Sequence, residues 1–320
     1  MNQEVSVAEK RIEYIDLLKY LGIFAIYLGH LGDAAGMFYP FVFQYHVPLF
    51  FFISGCMEAI GKKRKTLAYV SHKGKTILIP WLFFALLSTG INAAESGSTL
   101  TEVKRFLLEI LRGCIRNHFF AGSLWFLTCL FVVSVIFHLI VKIRCKSLML
   151  MLCLILFAVS ETILPHRPIA HPAWYWNVDS AMYYLIFYCL GFIMFPYIHR
   201  MLTSEKRSAR MLCIVCGLLS FLYSALLFFG KDSLSFAASV SGIRVFLPVT
   251  RAMLVIIFNI ILAYFLRKLK SLQEVGKNTL YLCGSEWIIK QWVPLLAGIL
   301  GLKITISTPV SALLYTYVLL

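Results

Sequence analysis

Ten apolar stretches, each near the length of a membrane-crossing helix, follow one another along the chain with mostly short, charged connections between them. A hydrocarbon core of roughly 30 Å takes about 20 apolar residues per helix, and inside it every backbone N–H and C=O must be satisfied by the protein itself. Only helices or a closed barrel meet that demand, and runs of this length are helical. The stretches lie near 12–31, 46–60, 74–94, 123–143, 147–164, 178–199, 211–229, 246–266, 278–299 and 302–320. A mean hydropathy of +0.81 and a charged fraction of only 14% fit lipid as the solvent. The expected fold is an all-α integral membrane protein, a bundle of about ten transmembrane helices forming one domain over residues 1–320.

Loop charge orients the bundle. With a cytoplasmic N-terminus, the cytoplasmic segments are the tail with Lys10 and Arg11, Lys62 to Lys75, Lys142 to Lys146, Arg200 to Arg210 and Arg267 to Lys277. Together they hold 19 of the 30 basic residues. The positive-inside rule selects this topology, with both termini cytoplasmic and a multi-pass location in the cytoplasmic membrane. The net charge of +15 is scattered between apolar runs rather than gathered on one soluble face, which excludes nucleic acid as a partner and leaves membrane lipid. The first dozen residues are polar and mixed in charge, so no cleavable signal peptide is expected. Nine cysteines sit mostly inside apolar runs and read as small packing residues; Cys213 and Cys216 have metal-site spacing but no His or Cys partners nearby. No metal site is expected.

One segment outside the spans has helical periodicity. Val103, Phe106, Leu107, Ile110, Leu111 and Cys114 recur among Lys104, Arg105, Glu109 and Arg112, the pattern of an amphipathic helix on the outer interface or over a lumen.

Ionisable residues inside a membrane are costly and tend to mark function. In the first span Asp16, Lys19, Ile23, Ile26 and His30 fall on one stripe, with Lys19 and His30 about 20° apart and roughly 16 Å along the axis. Asp16 and Lys19 are close enough to pair. His30 is left alone near the outer end, where imidazole suits proton abstraction near neutrality and also serves elsewhere as an interfacial anchor. The second span opens Gln44-Tyr45-His46-Val47-Pro48 and runs to Ser54-Gly55. Pro48 fits a first helical turn, and the small Ser54-Gly55 pair admits either a helix crossing or a ligand.

These residues, in this order, resemble the membrane-bound acyltransferase 3 family, especially its fucose 4-O-acetylase-like branch. The resemblance runs through Arg11, Tyr14-Ile15-Asp16-Leu17-Leu18-Lys19, Gly29-His30, His46 to Gly55, Lys73 and Lys75, Ile79-Pro80-Trp81, Leu124 to Leu127 and Asn177-Val178-Asp179. It implies transfer of an acyl group, usually acetyl, from cytoplasmic acyl-CoA to a hydroxyl of a sugar or another envelope component. Acyl-CoA is then a co-substrate, with no bound cofactor, and a glycan or lipid-linked sugar is the acceptor. It also implies His30 as the catalytic base, acting with Asp16 and Lys19, and Lys73, Lys75 and Arg11 as contacts to CoA. His46, Ser54, Trp125, Asp179 and Glu286 would line the site on the acceptor side.

Two positions depart from the pattern. Lys19 stands where the family often has Arg, which keeps the charge and loses the bidentate fork. Glu286 stands where many relatives place His, and Lys290, one turn on, is its expected local partner. The last run stops at Leu320 without a polar tail, as in a short or truncated member. Two other readings use the same residues: a transporter or flippase with the charged stripe as a path, and a membrane scaffold that has lost catalysis. Arg251, Asp179 and Glu58 read as members of structural pairs.

Overall fold

The computed structural model describes residues 11–320, whose regular elements are all helical, with no strand among the described residues. The first two apolar stretches form α1 (Glu13–Gly29), a short α2 (Phe38–Val42) and α3 (His46–Ile60). Then come α4 (Thr66–Lys73), a π-turn at Gly74–Leu78, α5 (Ile79–Ser96) and α6 (Leu100–Leu111). The middle of the chain forms α7 (Trp125–Ile140), α8 (Lys146–Thr162), α9 (Val178–Thr203) and α10 (Arg207–Phe228). It ends with α11 (Ser241–Arg244), α12 (Leu247–Phe265), α13 (Lys270–Lys277), α14 (Thr279–Ile299) and α15 (Pro309–Leu319).

A helix occupies each of the ten apolar stretches, and six segments are long and apolar enough to cross a membrane. These are Phe38–Ile60, Thr66–Ser96, Trp125–Ile143, Tyr175–Thr203, Arg207–Phe228 and Leu247–Phe265. Among the others, α1 and α8 have 17 residues and α15 has 11, while α14 carries Glu286 and Lys290 in its apolar run. Large apolar side chains cover the outside: Leu218, Leu219 and Leu222 on α10, and Ile79 and Phe83 on α5, all stand exposed. Such a surface is unfavourable in water and matched to lipid, so this is a multi-pass membrane protein.

Local sequence explains the element ends. Pro48, Pro80, Pro248 and Pro309 all stand in first helical turns, where a missing N–H costs nothing. Gly97, at φ +61°, ends α5 in the left-handed conformation that lacks a Cβ penalty. Thr99 and Glu102 form a reciprocal capping box that starts α6. The stretch expected as the amphipathic helix is thus helical, but its apolar face divides. Ile110 and Cys114 are buried and Phe106 packs on Phe119 and Phe120, whereas Leu107 and Leu111 stay exposed beside Leu100 and Leu108.

The basic segment Lys62 to Lys75 is helical over most of its length rather than a loop. The reason is Tyr69, which is buried, donates to Glu58 Oε2 at 2.8 Å and stacks on His138 of α7 at 4.1 Å.

A close backbone crossing joins α3 to α9. A Cβ on Gly55 would run into the Tyr188 carbonyl, and one on Gly191 into the Phe52 carbonyl, so only glycine lets the backbones meet. Phe51 stacks on Tyr184 in the same contact, with ring centroids 4.6 Å apart. The helices alternate in direction, so Asp16, Glu58, His138 and Lys146 share one end of the bundle. His30, His46 and Trp125 share the other.

Candidate active site

His30 caps the C-terminus of α1, its backbone N–H bonded to the Ile26 carbonyl at 3.0 Å. Its Nδ1 lies 3.0 Å from Glu286 Oε1, on α14. Glu286 is only 4% exposed, and Lys290 Nζ reaches the same oxygen at 2.6 Å. The carboxylate therefore sits between an imidazole and an ammonium group. A proton on Nδ1 is donated to the carboxylate, which leaves Nε2 as the free lone pair of the ring.

Tyr27 holds α14 in register with α1. Its hydroxyl donates to the Leu282 carbonyl at 2.9 Å, and its own carbonyl accepts from Lys290 Nζ at 3.4 Å. The second imidazole, His46 at the start of α3, stands nearly perpendicular to His30 with ring centroids 6.5 Å apart. Its Nδ1 donates to the Val42 carbonyl at 2.7 Å, so its Nε2 is likewise the unprotonated nitrogen.

Both imidazoles line a cavity of about 490 Å³, walled by Phe43, Trp125, Tyr183 and Tyr184 and carrying the polar groups of Gln44, Asn117 and Ser123. This is the size and mixed lining of a small-molecule site. Arg116 also lines it, a residue the sequence reading did not single out. Its guanidinium lies 4.9 Å above the Trp125 ring and donates to the Pro168 and Ile169 carbonyls at 2.5 and 2.6 Å. Its Nε is buried without a partner. A signal for this position exists in the sequence, since Gly113 and Asn117 bracket Arg116 with residues that tolerate positive φ, and both adopt it.

The Asn177-Val178-Asp179 segment builds the frame of this cavity rather than its lining. Asn177, itself at φ +54°, accepts from the Arg116 backbone N–H at 3.1 Å and donates to the Gly113 carbonyl at 3.1 Å. Asp179 is fully buried and accepts from the N–H groups of Ala173 and Trp174 at 2.8 and 3.1 Å, with His166 Nε2 at 3.2 Å. Ser54 is also outside the cavity; its hydroxyl donates to the Phe50 carbonyl at 2.8 Å, one turn back on α3.

Asp16 and Lys19 are at the far end of α1. Asp16 is buried and accepts from Arg11 Nε at 2.5 Å and Lys19 Nζ at 3.3 Å, so the expected pair is a triad. The hydrogen bond that Arg11 donates to Asp16 raises its guanidinium above its usual range. These groups line a separate cavity of about 470 Å³ with Met57 and Ile60. From Asp16 to His30 is 14 residues of helix, or about 21 Å, so the two ends of the stripe do not act on one atom. Lys73 is tied to Glu58 at 3.7 Å, while Lys75 points outward, exposed, from the π-turn. Arg251 pairs with Asp232 at 2.5 Å.

The structure thus gathers His30, His46, Trp125 and Glu286, adds Arg116 and Lys290, and leaves Asp16, Lys19, Ser54 and Asp179 elsewhere. No curated protein and no solved structure gives a significant match to the chain. A sequence model of the acyltransferase domain, by contrast, matches residues 12–318, from the first helix into the last. With that match spanning the bundle, the protein belongs to the acyltransferase 3 family and is a membrane acyltransferase.

Proposed function

We propose that the protein is an O-acyltransferase of the cytoplasmic membrane. It moves an acetyl or related acyl group from cytoplasmic acyl-CoA to a hydroxyl of a sugar or envelope glycan, as the fucose 4-O-acetylase-like resemblance implies. In this reading all ten apolar helices cross or enter the bilayer, both termini are cytoplasmic, and the His30 cavity opens toward the outer side. The observation that carries it is His30 on the wall of an aromatic and polar cavity, backed by the buried Glu286 at 3.0 Å.

A sugar hydroxyl is a weak nucleophile until a placed base takes its proton. His30 Nε2 removes that proton as the oxygen attacks the thioester carbonyl, and Glu286 stabilises the imidazolium that forms. When the tetrahedral intermediate collapses, the C–S bond breaks and the proton passes from His30 to the departing thiolate. Arg116, on the same cavity wall, brings a positive charge near the negative oxygen or the acceptor. The aromatic walls suit the apolar faces of a sugar ring. Family membership favours this chemistry over a flippase, since a transport path needs no oriented base.

The test is acyl transfer by membranes containing the protein, read by mass spectrometry of envelope glycans with and without the gene. His30→Ala is expected to abolish transfer. Transfer at the wild-type level by that variant removes His30 from the mechanism.

A further inference from the structure

Apart from the two imidazoles, Arg116 is the one charged side chain on the lining of the His30 cavity, and it takes part in no ion pair among the described residues. Asp179, in the adjoining frame, is fully buried and already accepts from the N–H groups of Ala173, Trp174 and Ser180, with His166 Nε2 at 3.2 Å. Glu286 is taken by His30 and Lys290. Charges withdrawn from water inside a membrane protein are costly and are almost always paired. Positive-inside bias gives no reason for this one. The basic residues it accounts for gather at the Asp16 end of the bundle, and Arg116 stands at the other.

The backbone around Arg116 supplies a second, independent sign. Of the six non-glycine residues at positive φ among the described residues, Cys114, Asn117, Arg167, Trp176 and Asn177 all fall in the two segments, 113–117 and 167–177, that hold this side chain. A Cβ disfavours cysteine, arginine and tryptophan in that conformation, and it persists only where the surroundings over-determine it, as they do around functional groups. The two segments are locked together: the Trp176 N–H donates to the Arg112 carbonyl at 2.7 Å, and a Cβ on Gly113 would strike Trp176 Cα. The guanidinium is thereby fixed before any ligand arrives. Its Nη2 is on the Pro168 and Ile169 carbonyls, its centre is over the Trp125 ring, and Nη1 makes no hydrogen bond to protein among the described residues.

We infer that the acceptor is anionic and that Arg116 selects it by holding a carboxylate or phosphate oxygen, while His30 takes the proton from a hydroxyl of the same molecule. The inference rests on the proposed acyl transfer and narrows its acceptor from any envelope sugar to one that carries negative charge. Two sources supply such an oxygen: the carboxylate of an acidic sugar, and a phosphate on the sugar or in its lipid link. Either meets a guanidinium through charge-assisted hydrogen bonds, which are stronger than those a neutral hydroxyl makes. Gln44 and Asn117, uncharged on the same lining, are left to the hydroxyls. A neutral sugar that displaces water from the cavity leaves the Arg116 charge without a partner, so it is rejected as well as held less tightly.

The test measures acetyl transfer from acetyl-CoA, and retention of glycan, by the full-length protein in nanodiscs. The probe is envelope glycan from cells lacking the gene, supplied native, with its carboxyls converted to methylamides, or dephosphorylated with hydrofluoric acid. Native glycan is expected to exceed one treated form by about tenfold in kcat/KM. Loss on amidation names a sugar carboxylate, loss on dephosphorylation names a phosphate, and equal transfer to all three forms overturns the inference. Arg116→Gln is expected to raise KM for native glycan about tenfold, to keep kcat within about threefold and to abolish the preference for the native form. Arg116→Lys, which keeps the charge, is expected to restore part of that preference. A loss of kcat at unchanged KM places the charge on the tetrahedral oxygen and overturns the inference. So does an equal loss on native and treated glycan, the mark of an arginine that only holds its loop. If no form is acylated but native glycan is retained in preference to a treated one, the proposed reaction falls and the anion site stands. If retention is also blind to charge, both fall.

Discussion

Glu286→Gln isolates the orienting carboxylate, because it keeps the side-chain shape and one acceptor oxygen while removing the charge. In the wild type Glu286 Oε1 meets His30 Nδ1 at 3.0 Å and Lys290 Nζ at 2.6 Å. In the proposed mechanism His30 becomes an imidazolium about 4 Å from the carboxylate charge. At an effective dielectric near 20, that attraction is about 4 kcal/mol. The glutamine oxygen retains a neutral hydrogen bond worth about 1 kcal/mol, so roughly 3 kcal/mol of transition-state stabilisation is lost. This corresponds to a fall in kcat of about 10² to 10³. Lys290, only 18% exposed, loses its counter-charge in the same substitution, and an unpaired buried ion costs about 3–5 kcal/mol of stability. Glu286→Gln/Lys290→Met separates the two effects, since it restores stability and leaves kcat low. The assay is release of free thiol from acetyl-CoA by protein in nanodiscs supplied with envelope glycan, with unfolding temperature measured in parallel. A Glu286→Gln enzyme within about threefold of the wild-type kcat refutes the orienting role.

Three further outcomes follow from the packing and caps. Gly55→Leu drives a side chain into the Tyr188 carbonyl and separates α3 from α9, at a cost of about 3 kcal/mol or more, seen as loss of the monodisperse peak in fluorescence-detected size-exclusion chromatography. Asn177→Ala removes the bonds to the Arg116 N–H, the Gly113 carbonyl and the Thr128 hydroxyl; the expected loss is about 2–4 kcal/mol in thermal unfolding, with a higher KM for the acceptor as the Arg116 loop loosens. The Thr99 backbone N–H, followed by its hydroxyl, holds the Glu102 carboxyl below its usual range. A depressed folded pKa adds stability above the unfolded value near 4.5 and loses it as pH falls through the folded one, so protection factors of the first-turn amides of α6, corrected for the intrinsic exchange rate, should fall as Glu102 protonates and stay constant between pH 6 and 8.

The helical bundle was legible because lipid leaves the chain so few ways to satisfy its backbone. The α1 stripe was legible too, since 100° per residue is a local property. What the stripe could not reveal is that its two ends are separate sites, because a shared helix face says nothing about which cavity each level meets. The Glu286–Lys290 pair follows from i,i+4 spacing. His30 and Glu286 are 256 residues apart, and hydropathy carries no information on which helices become neighbours. Arg116 is one arginine among several between spans; its placement depends on Asn177, from a different part of the chain, pinning its loop. Lys62 to Lys75 looked like a loop on charge alone, because the anchor that makes it helical is the single residue Tyr69.

The two rungs that Tyr27 makes to α14 have an evolutionary consequence. Each ties a side chain of one helix to a backbone carbonyl of the other, so the spacing of His30 and Glu286 is set independently of the segments 31–44 and 112–124 that form much of the cavity wall. Selection can therefore rewrite those connections to suit a new acceptor while the His30–Glu286 pair stays in place. One bundle is in this way a chassis for many acceptors, and substrate preference should drift quickly where chemistry does not.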